Sequence, residues 1–172
     1  MNTLQDIYSY LNDRLLEGNL GSIKEVIDYL NEGQTLISQK FPVEAPIITI
    51  ALTTNSFPIP SDMETLRKIK RGTTELTEIE IWANTITINS NIKDGTVDVY
   101  YYKTPTRLDE NNVSQIPDID SRYFYALAKF AAEAYYLVDD DPEMREAFKS
   151  SFISNLSTMA PKHSVTKFVN GW

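Results

Sequence analysis

The residues best suited to chemistry in this chain are few and scattered. Three consecutive carboxylates, Asp139, Asp140 and Asp141, could hold a hard cation such as calcium. Calcium loops, however, spread their oxygen ligands over alternate positions around a turning glycine, and this run has no glycine. Pro142 follows directly, so the run reads as an interhelical turn in which Asp141 caps the next helix. His163 is the single histidine. A catalytic Ser-His-acid or Cys-His arrangement needs an imidazole held in place. His163 instead lies in a tail beside Pro161 and reads as a surface residue. The six glycines, Gly18, Gly21, Gly33, Gly72, Gly95 and Gly171, never gather into a phosphate-cradling loop. No two carboxylates stand out as an acid–base pair for glycoside hydrolysis. Cysteine is absent, which removes disulfides, zinc thiolates and thiol nucleophiles together and suits a reducing cytoplasm. The expectation is therefore a protein that binds and does no catalysis, with no cofactor and no metal.

Three features suit binding. Arg67, Lys68, Lys70 and Arg71 form a local basic patch that could meet DNA or an acidic partner, or could simply be a solvated strand end. The run Tyr100-Tyr101-Tyr102 lies in a strand, where alternation sends Tyr100 and Tyr102 to one face and Tyr101 to the other. One face is then core and the other exposed or at an interface. The tail from 160 to 172 carries Phe168, Val169 and Trp172 with no periodic element to bury them. They either fold back on their own domain or dock on a partner, and the expectation here is docking.

Bulk properties narrow the class. The 172 residues fit one domain with room for one inserted lobe. At 42% hydrophobic and 11% aromatic, the chain is too apolar to be disordered. A net charge of −8 argues against tight binding to nucleic acid through phosphate neutralisation. It is compatible with lining a passage through which DNA slides, but simple solubility is the plainer reading. The N-terminal residues show neither a basic start nor an apolar run, so no secretory signal is expected. No stretch approaches membrane-spanning length.

Stepping along the chain, Thr3 with Asp6 makes a capping-box-like start, and Leu4, Ile7, Leu11 and Leu15 keep helical spacing. Ser22 with Glu25 opens a second helix, in which Gly33 costs about 1 kcal/mol relative to alanine and permits a bend or a close neighbour. From Val43 the period shortens to that of strands. Leu66–Lys70, Leu76–Trp82, Thr85–Asn89 and Thr96–Tyr102 read as strands, with turns at Arg71-Gly72 and Ala83-Asn84 and a hairpin signal at Asp94-Gly95. Residues 104–115 are polar and aperiodic. Pro117 and Asp118 open an alanine-rich helix with an expected buried face of Tyr123, Leu127, Phe130, Ala131, Ala134 and Leu137. The expected fold is α+β in one domain, 1–172. It is a helical bundle of two N-terminal helices (about 3–17 and 22–39) and a C-terminal helical hairpin (117–138 and 142–158). A small antiparallel β lobe is inserted at about 43–103.

In this order the segments resemble the head-to-tail connector (adaptor) proteins of tailed bacteriophages. Phe57-Pro58-Ile59-Pro60-Ser61-Asp62-Met63, followed by Leu66-Arg67-Lys68-Ile69, is similar to the F-x-(L/I/V)-P-x-D strand start of many such adaptors. Val99-Tyr100-Tyr101-Tyr102-Lys103-Thr104-Pro105-Thr106-Arg107-Leu108 is similar to their YY-x-x-P-x-x-L strand and loop. The stretch from Ile116-Pro117 to Tyr136, with Asp139-Asp140-Asp141-Pro142 and a helix bearing Phe148 and Phe152, is similar to their closing hairpin. The likeness spans about Leu20 to Met159 and rests on structural residues. It implies a ring of about twelve copies under the portal, built from heterologous contacts. Such a ring extends the DNA channel, lets double-stranded DNA pass without sequence-specific binding and meets tail or stopper proteins. It implies a place in the neck of the virion, after assembly in the host cytoplasm, and no membrane. Phe168, Val169 and Trp172 are then the residues expected to touch a partner such as the portal. The alternatives are another neck or tail-completion protein, or a small carbohydrate-binding or hydrolase domain using Trp82 and the tyrosines as a sugar platform.

Overall fold

Residues 3–89, 92, 94–138 and 141–158 are described by a computed structural model. The chain divides into two compact units. One combines residues 1–41 and 106–172, and the other is Pro42–Pro105.

Helices of the first unit begin where their side chains satisfy the orphan N–H groups. At α1 (Leu4–Tyr10), Thr3 and Asp6 form a complete capping box. The next two free amides, Leu4 and Gln5, donate to the carbonyls of Gln115 and Val113 at 2.8 Å each. A π-helical turn, Leu11–Leu15, continues it. Ser22 and Glu25 make the second capping box, but it opens a short 3-10 turn, Ile23–Glu25, before α2 (Ile27–Lys40) begins. The third helix starts later than Pro117 suggests: a 3-10 turn, Ser121–Tyr123, leads into α3 (Phe124–Val138). Asp120 caps that turn by accepting from the Arg122 amide. Asp141 caps α4 (Pro142–Thr158), accepting from the Met144 amide at 3.0 Å.

Helix α3 is the hub of this unit and touches α1, the π turn, α2 and α4. Its buried alanines, Ala126, Ala128, Ala131 and Ala132, keep it slim enough for several neighbours. Gly33 of α2 completes the fit, since a Cβ there would stand 2.7 Å from Phe130 Cδ1 and 2.9 Å from Leu127 Cδ1. The glycine therefore serves close packing. Leu137 does not join the buried face as expected; it is exposed at the helix end with Val138. Residues 104–115 are aperiodic but firmly held. Asn31 clamps both backbone groups of Leu108, and buried Gln34 bonds the Thr106 carbonyl and the Asp118 amide.

The second unit corrects the expected fold. The chain is α+β, but it is not a helical bundle carrying a small β lobe. Among the described residues, eight strands build two antiparallel sheets around a hydrophobic core of their own. The strands are β1 (Val43–Glu44), β2 (Ile48–Leu52), β3 (Ser56–Pro58), β4 (Met63–Arg71), β5 (Thr74–Leu76), β6 (Ile79–Trp82), β7 (Thr85–Ile88) and β8 (Gly95–Lys103). In the larger sheet, β8 pairs with β1 and β2 along one edge and with β4 along the other, and β4 pairs onward with β5. Pro46, which lacks an N–H, separates β1 from β2. The smaller sheet has the order β3-β7-β6. Leu76 to Trp82 is not one strand. Leu76 ends a strand of the first sheet and Ile79 begins one of the second, so the chain changes sheets at Thr77-Glu78. Nor does Asp94-Gly95 make a hairpin: Gly95 takes a φ of 90°, but β7 and β8 belong to different sheets. Phe57, Ile69, Ile86, Ile88, Val97, Val99 and Tyr101 fill the space that the two sheets share.

Candidate interaction surface

Strand β4 shows how a sequence irregularity builds a surface. Leu66 and Ile69 are three residues apart, so a regular strand of period two cannot turn both inward. A bulge solves this. Leu66 pairs with Tyr101 and Lys68 with Tyr100, so two steps along β4 match one along β8. Leu66 and Ile69 both reach the core, and Arg67 and Lys68 are both left with the outer face. There they meet the two outward tyrosines of β8.

The result is a cation–tyrosine face. The Arg67 guanidinium lies 5.0 Å from the Tyr102 ring centre, and Lys68 Nζ and Lys70 Nζ lie 5.0 and 5.9 Å from that of Tyr100. Each such contact stabilises by about 0.5–1 kcal/mol in an exposed setting. Glu44 holds Arg67 at 2.8 Å. Across the sheet Lys70 stands opposite Asp98, which accepts from Thr49 Oγ1 at 2.6 Å, and opposite Glu75 of β5. Arg71 lies apart from this group, at the strand end, 3.6 Å from Asp94.

Behind the face, Tyr101 points inward and is buried. Its hydroxyl donates to Asp62 Oδ1 at 2.9 Å. Burial, then this hydrogen bond and the carboxylate's charge, push the phenol up from 10.0 to about 12. The Asp62 carbonyl also accepts from the Thr104 amide at 2.9 Å. Thus the aspartate of the Phe57–Met63 segment and the middle tyrosine of the Tyr100–Tyr102 run, far apart in sequence, close one framework.

The smaller sheet presents a different surface. In β6, Glu80 and Trp82 point away from the core, opposite Thr87 and Thr85, while Ile79 and Ile81 stand opposite buried Ile88 and Ile86. Trp82 is 83% exposed and Ile81 49%. The two-residue turn beside them, Ala83-Asn84, has φ of 47° and 64°. These left-handed values suit a type I′ hairpin turn, although Ala83 adopts its angle at a steric cost. Glu78 and Glu80 make this edge acidic, and an open depression lined by Glu75, Leu76, Thr77, Glu78 and Ile88 adjoins it.

Of the residues singled out by sequence, the basic patch and the tyrosine run do come together, except for Arg71. Trp82 and the outward tyrosines do not converge on a pocket, since they occupy outer faces of different sheets. Asp139, Asp140, His163, Phe168, Val169 and Trp172 lie outside the described residues. Sequence reasoning missed Glu44 and Asp98, and it read Glu78 and Glu80 as strand alternation, not as part of a surface with Trp82. The three-residue spacing of Leu66 and Ile69 was the available signal for the bulge. Among the described residues, no group of three or more His, Cys, Asp or Glu side chains could hold a metal ion, and no helix is long and apolar enough to cross a membrane.

A family model described as SU10 adaptor protein matches residues 2–167. No curated protein matches the chain.

Proposed function

The chain belongs to the SU10 adaptor protein family, a family of phage head–tail adaptors, and from this we propose that it forms a ring beneath the portal. As a member it is a structural protein of a phage particle and interacts with other head or tail proteins. The finer reading is a homo-oligomeric ring, of about twelve copies in heterologous contact. The ring extends the DNA channel, joins the head to the tail or stopper, and sits in the neck after assembly in the host cytoplasm. It acts by binding, without chemistry.

The match over residues 2–167 carries this reading. The net charge of −8 is compatible with it, because an acidic lining would let DNA slide past without gripping its phosphates. So is the presence on one β unit of two surfaces of unlike chemistry, as head-to-tail assembly requires.

The test is electron microscopy of phage particles made with and without this chain. Heads that fill but leak or lack tails in its absence support the connector; normal tailed particles refute it. Phe168, Val169 and Trp172 are proposed to reach the portal. A chain truncated after Ala160 should keep its far-ultraviolet circular dichroism and fail to dock on portal-bearing heads. Normal docking by the truncated chain would remove the tail from the proposal.

A further inference from the structure

We propose that β units of neighbouring copies dock head to tail, the Trp82 hairpin of one copy seating on the cation–tyrosine face of the next. This rests on the ring reading above and names the contact that would build it.

Three observations carry it. The first is presentation. Trp82 is 83% exposed beside a two-residue turn, and strand pairing from Ile79–Ile88 to Trp82–Thr85 holds its backbone in place. A large indole displayed on a paired hairpin loses little further freedom when it binds. The second is complementarity. Glu80 shares the outer face of β6 with Trp82 and Glu78 immediately precedes that strand, whereas Arg67, Lys68 and Lys70 lie over Tyr100 and Tyr102 on the other surface. Carboxylates then meet cations, and the indole, the strongest cation-binding ring among side chains, meets lysine and tyrosine. Glu44 holds Arg67, and Asp98 and Glu75 stand opposite Lys70, so Lys68, which stands opposite Tyr100, is the chief cation this face offers an acidic hairpin.

The third is topology. Trp82 and Glu80 lie on the outer face of the smaller sheet, and Lys68, Lys70, Tyr100 and Tyr102 on that of the larger. The inner faces of both sheets share one core, so the two outer faces turn away from each other. They cannot satisfy one another within one copy. Between copies each surface finds the other, and only the two end copies of an open chain keep a free surface. Such a contact repeats until the rotation closes a ring.

The chain lacks cysteine, which makes cross-linking specific. Thr85 neighbours Trp82 across β6 and β7, and exposed Thr65 stands opposite Tyr102 at the tyrosine face, so the T85C/T65C variant spares Trp82, the three cations and both tyrosines. The full chain, alone and on portal-bearing heads, is treated with a short bismaleimide and run on a denaturing gel. The double variant should give a ladder of multimers. Each single variant should give almost no dimer, and a mixture of the two should stop at dimer. Sedimentation velocity of the untreated wild type follows the ring separately. If wild type and double variant both form rings but no ladder appears, the ring stands and this contact is wrong. If neither forms a ring, alone or on heads, the ring reading falls and takes this contact with it. As a second arm, K68E/K70E should weaken assembly at least tenfold, and mixing it with E78K/E80K should restore assembly. Unchanged assembly by the first variant would overturn the proposal.

Discussion

Gly33→Ala sets two effects of similar size against each other. Alanine in a helix interior gains about 1 kcal/mol over glycine from backbone entropy alone. At Gly33 the new methyl would stand 2.7 Å from Phe130 Cδ1 and 2.9 Å from Leu127 Cδ1, both inside van der Waals contact. Leu127 is fully buried, and the Phe130 ring packs 5.2 Å from that of Phe152, so neither side chain is free to swing aside. Overpacking of this kind costs about 1–3 kcal/mol. The net expectation is a loss of about 1 kcal/mol, which moves a urea midpoint down by about 0.5 M for a slope near 2 kcal/mol/M. Circular dichroism at 222 nm follows the helical unit and supplies the assay. Phe130→Leu removes ring atoms from the clash, so G33A in that background should recover most of the penalty, with a coupling of about 0.5–2 kcal/mol. A G33A chain more stable than wild type would refute the close-packing account and leave Gly33 as an ordinary weak helix residue.

Further outcomes follow from single contacts. Gln34→Ala should lose about 1–3 kcal/mol in the same assay, because it strips the Thr106 carbonyl and the Asp118 amide of their partner. Tyr101 should make the β unit sensitive to alkali. Its folded value of about 12 lies above 10.0, so its contribution is complete below pH 10 and is lost as the pH rises through about 12. Urea unfolding between pH 9 and 11.5 should show this slope, at most about 1.4 kcal/mol per pH unit, and Tyr101→Phe should flatten it. Ala83→Gly should raise thermal stability by about 0.5–1 kcal/mol, since glycine takes a φ of 47° without the alanine's steric cost.

Legibility followed the range of the forces involved. Local side-chain-to-backbone bonds could be read directly: Thr3 with Asp6, Ser22 with Glu25, and the Asp141 cap all take the roles their spacing suggests. Strand alternation likewise put Tyr101 on one face and its two neighbours on the other, and the structure makes the Tyr101 face the core. Long-range pairing could not be read. The out-of-step Ile79 was visible in the sequence, but nothing local says that the chain leaves one sheet for another there. Asp94-Gly95 supplies a left-handed angle wherever the chain needs to turn, and only the partners of β8 show that this turn joins two sheets. The error in fold followed from these two points. A single strand and a false hairpin describe one small sheet, whereas the chain closes two over a shared core. The clamps of Asn31 and Gln34 escaped for the same reason, since their acceptors lie more than 70 residues away.

The residues that carried the likeness to phage adaptors prove to be framework. Asp62 receives the Tyr101 hydroxyl and the Thr104 amide, Phe57 fills the shared core, and Phe152 packs on Phe130. Such residues define how a β unit closes and how a helical hairpin stacks, and neither task fixes a partner. Partner choice must then lie with side chains that the framework displays without needing them. Trp82, Glu80, Lys68 and Lys70 fit that description: they face outward, and the core would fill as well without them. The bulge in β4 joins the two levels, because the same irregularity that lets Leu66 and Ile69 share the core sends Arg67 and Lys68 together to the surface. Shortening β4 by one residue at the bulge should therefore do more than weaken the fold. It would turn either the cations or their apolar neighbours to the wrong side. Assembly should then fail even in a variant whose helices remain intact by circular dichroism.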